Sequence, residues 1–152
     1  LPKRIGDSVS FTAGNKLILG VKCSGVEIVH GLLSAVAPVS KLTFAGHMEY
    51  PKIKNRFLCI RNPFDHIHAL YLQKQAESCE RIDLYEFITR DTPLLPDHKP
   101  SIAIRYEDII VKIPNLLEIR NKNSYRDAYG PREVELVNRM YHSYLKKTRY
   151  KF

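Results

Sequence analysis

Residues 16–28, KLILGVKCSGVEI, join a short apolar run to a small polar turn and then to a helical pattern. The apolar run Lys16–Val21 is typical of a buried β-strand. Residues 22–25 form a turn, and apolar side chains at helical spacing over residues 26–36 predict a helix that ends before Pro38. A strand that leads through a turn into a helix is the repeating unit of α/β proteins.

The rest of the chain continues this alternation. Further strands are predicted at residues 42–44, 56–60 and 101–105, and helices at residues 64–75, 83–89 and 131–147. Residues 1–15, which mix Gly, Ser, Asp and Asn, predict an irregular lead-in, and residues 120–130 predict a polar surface loop. We expect one domain over residues 1–152, with a parallel sheet that has helices on both faces and binds ligands beyond the carboxyl ends of its strands.

Composition excludes several classes of protein. With 44% hydrophobic residues, 26% charged residues and a net charge of +8, the chain is neither disordered nor collagen-like, and the surplus charge favours an anionic partner. Cys23, Cys59 and Cys79 lack CxxC spacing, which disfavours a disulfide framework or a zinc knuckle and predicts reduced thiols. Because residues 25–39 are too short and too polar for a membrane span and no signal peptide is visible at Leu1, we expect a soluble or cytoplasmic protein.

The turn at residues 22–25 has the chemistry of an anion site. The start of the next helix exposes backbone N–H groups, and Lys22 adds a full positive charge. The complete GxxxxGK[ST] pattern is absent, which disfavours an ordinary nucleotide triphosphatase. Arg61, which follows a predicted strand and precedes Asn62 and Pro63, can bind a phosphate bidentately. We expect both turns to face one crevice of a P-loop-like, three-layer α/β/α fold with a central parallel sheet.

Three segments resemble the PAPS-dependent sulfotransferases. Residues 57–71, FLCIRNPFDHIHALY, resemble the signature in which a strand ends in Arg-Asp/Asn-Pro before a helix. Residues 103–109, AIRYEDI, resemble the later RYEDL strand end of that family. Residues 125–137 and the ending at residues 150–152 resemble the C-terminal helix and tail of carbohydrate-type members, so that the resemblance covers residues 16–152.

The resemblance implies an enzyme that moves a sulfuryl group from 3′-phosphoadenosine-5′-phosphosulfate (PAPS) to a hydroxyl of a glycan or another small acceptor. The reaction is an in-line displacement that needs no metal and in which positioning and charge dominate. By the same resemblance Lys22 steadies charge on the leaving phosphate oxygen, and the backbone of Cys23, Ser24 and Gly25 cradles that phosphate. Arg61 would hold the 3′-phosphate of PAPS or of its product PAP.

Two more parts of the site are implied in the same way. A loop containing Lys122 and Ser124 would return over the nucleotide. The general base that takes the acceptor proton is expected to be His47, in a Gly-His element that resembles one in certain glycan sulfotransferases, with Glu49 as the second candidate. The histidines show neither HxxxH nor HExxH spacing, so no metal site is predicted.

The chain departs from the family at three positions, and these leave an alternative open. Val26 and Glu27 stand where the family has hydroxyl side chains, and Ala69 stands where it has a serine. Each lost hydrogen bond to a charged group weakens binding by about 1.5–3 kcal/mol. The alternative is therefore a catalytically impaired sulfotransferase-like domain that binds a nucleotide or an anionic polymer, either a glycan or RNA.

A third hypothesis follows from the charge at the C-terminal end. Residues 120–152 contain nine lysines and arginines against three acids, a surplus that suits RNA or heparin-like polymers. No RNA-module motif is present in the sequence, so nucleic acid is the less favoured partner. Whether the chain forms a homo-oligomer is left open.

Overall fold

The computed structural model describes residues 8–44, 55–93, 95, 102–116, 118 and 124–152. The chain divides into two compact units, and each is described by itself. The sheet unit comprises Gly6–Arg61 and Leu94–Asp108, and the helical unit contains Asn62–Pro93 and Ile109–Phe152. The single domain expected over residues 1–152 stays a prediction.

Within the described residues the sheet unit has five strands: β1 (Ser8–Ala13), β2 (Lys16–Val21), β3 (Thr43–Phe44), β4 (Asn55–Ile60) and β5 (Ile102–Arg105). Their order across the sheet is β3-β1-β2-β4-β5. Strands β2, β4 and β5 run parallel, whereas β1 is antiparallel to both β2 and β3. The predicted α/β class is therefore confirmed. Strands β2, β3, β4 and β5 lie where strands were predicted, whereas β1 was not predicted.

Strand β1 corrects the prediction of an irregular lead-in over residues 1–15. Its sequence SVSFTA alternates small polar and larger side chains, and Val9 and Phe11 are buried. Gly14, with φ +62°, makes the tight turn to β2, in a backbone conformation that glycine adopts readily. The polar composition of this segment concealed a period-2 pattern that is typical of strands. As a result the sheet is mixed, whereas a wholly parallel sheet was expected.

Helix α1 (Val26–Ser34) begins at the predicted residue and ends two residues earlier than expected, at Ser34. It packs against β1 and β2. The core of the sheet unit consists of buried aliphatic and aromatic side chains: Val9, Phe11, Leu17, Ile18, Val21, Val26, Val29, Leu58 and Ile60. Full burial of one such larger side chain stabilises the fold by about 1.5–3 kcal/mol, so this core fixes where the turn between β2 and α1 lies.

Other α-helices whose bounds the described residues give are α2 (Pro63–Glu77), α3 (Leu84–Asp91), α4 (Tyr106–Ile110), α5 (Pro131–Met140) and α6 (His142–Thr148). Helices α2, α3, α5 and α6 belong to the helical unit, whereas α4 follows β5 directly and crosses the boundary between the units.

Asn62 caps α2, since its side-chain oxygen accepts the Phe64 N–H at 3.1 Å, and Pro63 occupies the first helical position. The core of the helical unit contains Phe64, Ile67, Leu70, Phe87, Ile88, Leu136 and Val137.

Two expectations for the C-terminal part need correction. The helix predicted over residues 131–147 is divided at Tyr141, whose φ of −115° and ψ of 27° are not helical. The hydroxyl of Tyr141 donates to the carbonyl of Pro93 at 2.7 Å. Pro93 is distant in the sequence, so the spacing of apolar residues around Tyr141 could not predict this contact. In the predicted surface loop, Tyr125 and Tyr129 are buried and residues 125–128 form a 3-10 helix.

Candidate functional site

The turn between β2 and α1 is closed by a buried serine. Ser24 donates its N–H to the carbonyl of Val21 at 3.0 Å, and its hydroxyl oxygen accepts the Val21 N–H at 3.1 Å. The flanking residues Cys23 and Gly25 have φ of +68° and +106°. Left-handed backbone next to right-handed backbone can gather N–H groups into a concave site for an anion. The predicted turn is thus present, and within it the Ser24 N–H already donates to Val21 while the Ser24 hydroxyl oxygen accepts from Val21.

Glycine at position 25 is required twice over. Its φ of +106° is a conformation that side chains other than glycine rarely adopt. A Cβ atom added there would lie 3.2 Å from Cδ2 of Tyr106, which is tighter than ordinary van der Waals contact. The start of α1 is therefore held close against Tyr106 within the sheet unit.

Arg61 contacts this turn from the end of β4, the strand parallel to β2. Its Nη1 donates to the carbonyl of Cys23 at 3.1 Å, and its guanidinium carbon lies 3.9 Å from the centroid of the Tyr106 ring. The second contact is a cation–π interaction, which adds to the first in fixing the guanidinium. Lys22 is half-buried at the start of the same turn. The two basic residues singled out from the sequence thus belong to one region of the sheet unit.

Glu27 also reaches back to the turn. Its Oε1 accepts the N–H of Cys23 at 3.4 Å, a hydrogen bond longer than the usual range of about 2.7–3.2 Å. Val26, the other departure in this segment, is fully buried in the sheet core. Its side chain therefore serves packing and supplies no hydroxyl to the turn.

Cys59, in β4, is not suited to nucleophilic chemistry. Burial, with a smaller contribution from the negative charge of Glu27, raises the pKa of the Cys59 thiol to about 12. The reactive form of a cysteine is the thiolate, so a buried thiol of this kind is inert near neutral pH. Cys59 acts as a core residue.

The other predicted site residues do not join this group in the part of the chain that is described. His47, Glu49 and Lys122 lie outside the described residues, and their roles stay predictions. Ser124 belongs to the helical unit, where its hydroxyl oxygen accepts the Arg126 N–H at 3.3 Å and caps the 3-10 helix. Its role at a nucleotide also stays a prediction.

Sequence reasoning missed the contacts of Tyr106 and Asn62. Both residues stand in quoted motifs, so the motifs themselves were the available signal. Tyr106 supplies the ring against Arg61 and the wall beside Gly25. Asn62 donates from Nδ2 to the carbonyl of Lys151 at 2.8 Å and so fixes the C-terminal tail within the helical unit.

No protein-family model, curated protein or solved structure matches the chain. Among the described residues no group of three or more His, Cys, Asp or Glu side chains is arranged to hold a metal ion. The helices in those same residues are too short or too polar for any of them to cross a membrane.

Proposed function

We propose that the chain is a PAPS-dependent sulfotransferase that transfers a sulfuryl group to a hydroxyl of a glycan or another small acceptor. The observation that carries this proposal is the hydrogen bond of 3.1 Å between Arg61 Nη1 and the carbonyl of Cys23. Through it, two basic motifs that are distant in the sequence come together at the carboxyl ends of the parallel strands β2 and β4. Ligands of α/β sheets bind at such strand ends. A P-loop-like, three-layer arrangement is part of the proposal.

The roles of the residues follow from their charge and position. When bound, PAPS would supply the sulfuryl group and an anionic leaving group. Lys22 would stabilise the negative charge that develops on the leaving oxygen, and Arg61 would bind the 3′-phosphate. A displacement of this kind requires no covalent step by the protein, so the side chains contribute orientation and charge. His47 or Glu49 would take the proton of the acceptor hydroxyl.

The turn offers positive charge to a phosphate, but hydrogen-bonding groups of Ser24 and Cys23 already have partners within the protein. Lys22 and Arg61 provide cations, and the left-handed residues Cys23 and Gly25 give the turn a compact shape. The Ser24 N–H and hydroxyl, however, both bond to Val21. The Cys23 N–H has the carboxylate of Glu27 as its partner. A phosphate that accepts from the N–H of Ser24 or Cys23 must therefore displace an existing contact.

This misfit favours a second candidate function. A sulfotransferase-like domain with reduced or lost activity would bind PAP, or an anionic polymer, without transferring the sulfuryl group. The supporting observation is Val26, which is fully buried where a hydroxyl side chain would contact the phosphosulfate. The two candidates differ in transfer, and they share nucleotide binding where the ligand of the second is PAP.

A calorimetric titration with PAP tests the shared part. We expect PAP to bind and to raise the thermal midpoint, because a ligand that binds only the folded state stabilises it. Lys22→Ala and Arg61→Ala should each weaken binding by about tenfold or more, since each removes a charge-assisted contact. Lys41→Ala is the matched control, because Lys41 is an exposed lysine of the same unit. No PAP binding at millimolar concentration would refute the enzyme and the nucleotide-binding form of the second candidate.

Transfer is measured separately, as release of PAP from PAPS in the presence of glycans with free hydroxyl groups. Acceptor-dependent release supports the enzyme, whereas PAP binding without release supports the impaired domain. Equal affinity of the wild type and Arg61→Ala for PAP would refute the proposed 3′-phosphate site. Binding of mixed RNA with strong salt dependence, without PAP binding, would favour a nucleic-acid partner instead.

A further inference from the structure

The carboxylate of Glu27 lies at the turn where a ligand anion would bind. Glu27 is in the first turn of α1, and its Oε1 accepts the backbone N–H of Cys23 at 3.4 Å. Cys23 is one of the residues whose backbone would cradle a phosphate in the proposed function. The chain therefore presents its own anion to a donor that a phosphate oxygen would need.

We infer that Glu27 determines the anion affinity of the turn, because its carboxylate is an internal competitor that a phosphate or sulfate group must displace. This inference rests on the proposed function, since it concerns the same turn. Two groups of like charge cannot share one small site without a large unfavourable interaction. A phosphate that bonds to the Cys23 N–H must therefore move the Glu27 carboxylate away, which lowers its affinity.

The geometry indicates that the displacement is feasible. A hydrogen bond of 3.4 Å is long, so a phosphate oxygen at an ordinary distance would form a better contact with the Cys23 N–H. Glu27 is only half-buried, which gives its side chain room to turn towards solvent. The competitor is thus weak enough to be replaced and strong enough to lower affinity.

The surrounding charges explain why the turn tolerates this carboxylate. The N–H of Cys23 bonds to an anionic side chain, while its carbonyl accepts from the guanidinium of Arg61 at 3.1 Å. Both polar groups of one left-handed residue are therefore held by charged side chains of opposite sign. Removal of the carboxylate leaves the Arg61 contact in place, so the turn should keep its shape while it gains affinity for an external anion.

The variant Glu27→Gln tests this inference, because glutamine keeps the length and the acceptor oxygen of the side chain and removes its charge. The probe is inorganic phosphate, titrated into the full chain and followed at the amide resonance of Cys23. We expect phosphate to bind Glu27→Gln at least about tenfold tighter than the wild type. One interaction with a charged group changes a binding constant by about that factor. Glu86→Gln is the matched control, since Glu86 is an exposed acid in the first turn of α3, and its phosphate affinity should equal that of the wild type.

The second arm repeats the titration with PAP and separates the two proposals. Tighter phosphate binding by Glu27→Gln without any PAP binding would refute the proposed function and support the role of Glu27. PAP binding with equal phosphate affinity in the wild type and Glu27→Gln would overturn the role of Glu27. The amide spectrum shows whether the variant is folded, and Glu27→Ser, which removes the carboxylate entirely, gives the same comparison if Glu27→Gln does not fold.

Discussion

The two junctions that lead from a parallel strand into a helix, β2 to α1 and β4 to α2, satisfy the start of the helix differently. At α2 the side chain of Asn62 accepts the Phe64 N–H at 3.1 Å, and Pro63 at the first position has no N–H to satisfy. At α1 the residue before the helix is Gly25, which has no side chain and a φ of +106°. The junction before α2 is thus capped by the side chain of Asn62, whereas the residue before α1 contributes backbone shape alone.

The two junctions also differ in how easily a ligand could displace the groups that hold them. The groups at the start of α2 are fixed by a cap and, through Asn62, by the carbonyl of Lys151. The turn before α1 is closed by Ser24, and the N–H and carbonyl of Cys23 within it are held by the charged ends of Glu27 and Arg61. Long charged side chains are easier to displace than a short cap, so the turn before α1 is the better candidate for binding.

The largest effect on this comparison should come from Gly25→Ala. The substitution places a Cβ atom on a residue with φ +106° and within 3.2 Å of the Tyr106 ring. Left-handed backbone costs a residue other than glycine about 1–3 kcal/mol, and the close contact adds to it. We expect the free energy of unfolding, measured by urea denaturation, to fall by about 2–3 kcal/mol.

Gly14→Ala is the control for this prediction. Gly14 also has positive φ, at +62°, but an added Cβ there meets no atom within 4 Å. Its cost should be about 1 kcal/mol, from the backbone alone. Equal losses for the two variants would contradict the claim that contact with Tyr106 tightens the turn before α1.

A smaller loss is expected when the cap of α2 is removed. Asn62→Ala deletes both the acceptor for the Phe64 N–H and the donor to the Lys151 carbonyl. Loss of such a cap costs about 0.5–2 kcal/mol, so we expect unfolding free energy to fall by about 2 kcal/mol in urea. Asn62→Asp keeps the acceptor and loses only the donor, and should retain more of the stability. If both variants lost the same amount, the cap would contribute nothing and the tail contact would account for the whole effect.

Local pattern was sufficient for most elements of the fold. Strands β2 and β4 and the start of α1 were predicted, with β4 expected from residue 56 and found from Asn55, because apolar runs and helical spacing are properties of neighbouring residues. Strand β1 was missed because serine and glycine dominate its surroundings, and only its pairing with β2 reveals the strand. The break at Tyr141 was missed for a related reason, since the partner of its hydroxyl is the distant Pro93.

Of the predicted site, the structure describes the turn at residues 22–25 together with Arg61, whereas His47, Glu49 and Lys122 lie outside the described residues and Ser124 belongs to the helical unit. The sequence placed Arg61 and the turn at residues 22–25 on the same edge of the sheet, and the hydrogen bond to Cys23 agrees. It did not predict that the guanidinium packs on Tyr106, because a side-chain partner 45 residues along the chain follows from no local rule. Neither did it predict that Glu27 bonds to the backbone of Cys23, because the resemblance supplied a phosphate as the only partner of that N–H.

The smallest effect concerns Cys59 and the charge of Glu27. Burial first, and Glu27 second, raise the pKa of the Cys59 thiol from 9.0 to about 12. Between these values the unfolded chain releases the thiol proton and the folded chain keeps it, so the free energy of unfolding falls as pH rises. From pH 8 to pH 10 the wild type should lose about 1 kcal/mol more than Cys59→Ala, measured by urea denaturation at both pH values. The buried Tyr129 has a raised pKa as well, but it is present in both proteins and its contribution cancels. Because burial is the larger cause, Glu27→Gln should retain most of this pH-dependent loss. A loss as small as that of Cys59→Ala would show instead that the carboxylate in the first turn of α1, and not the core around β4, keeps the thiol protonated.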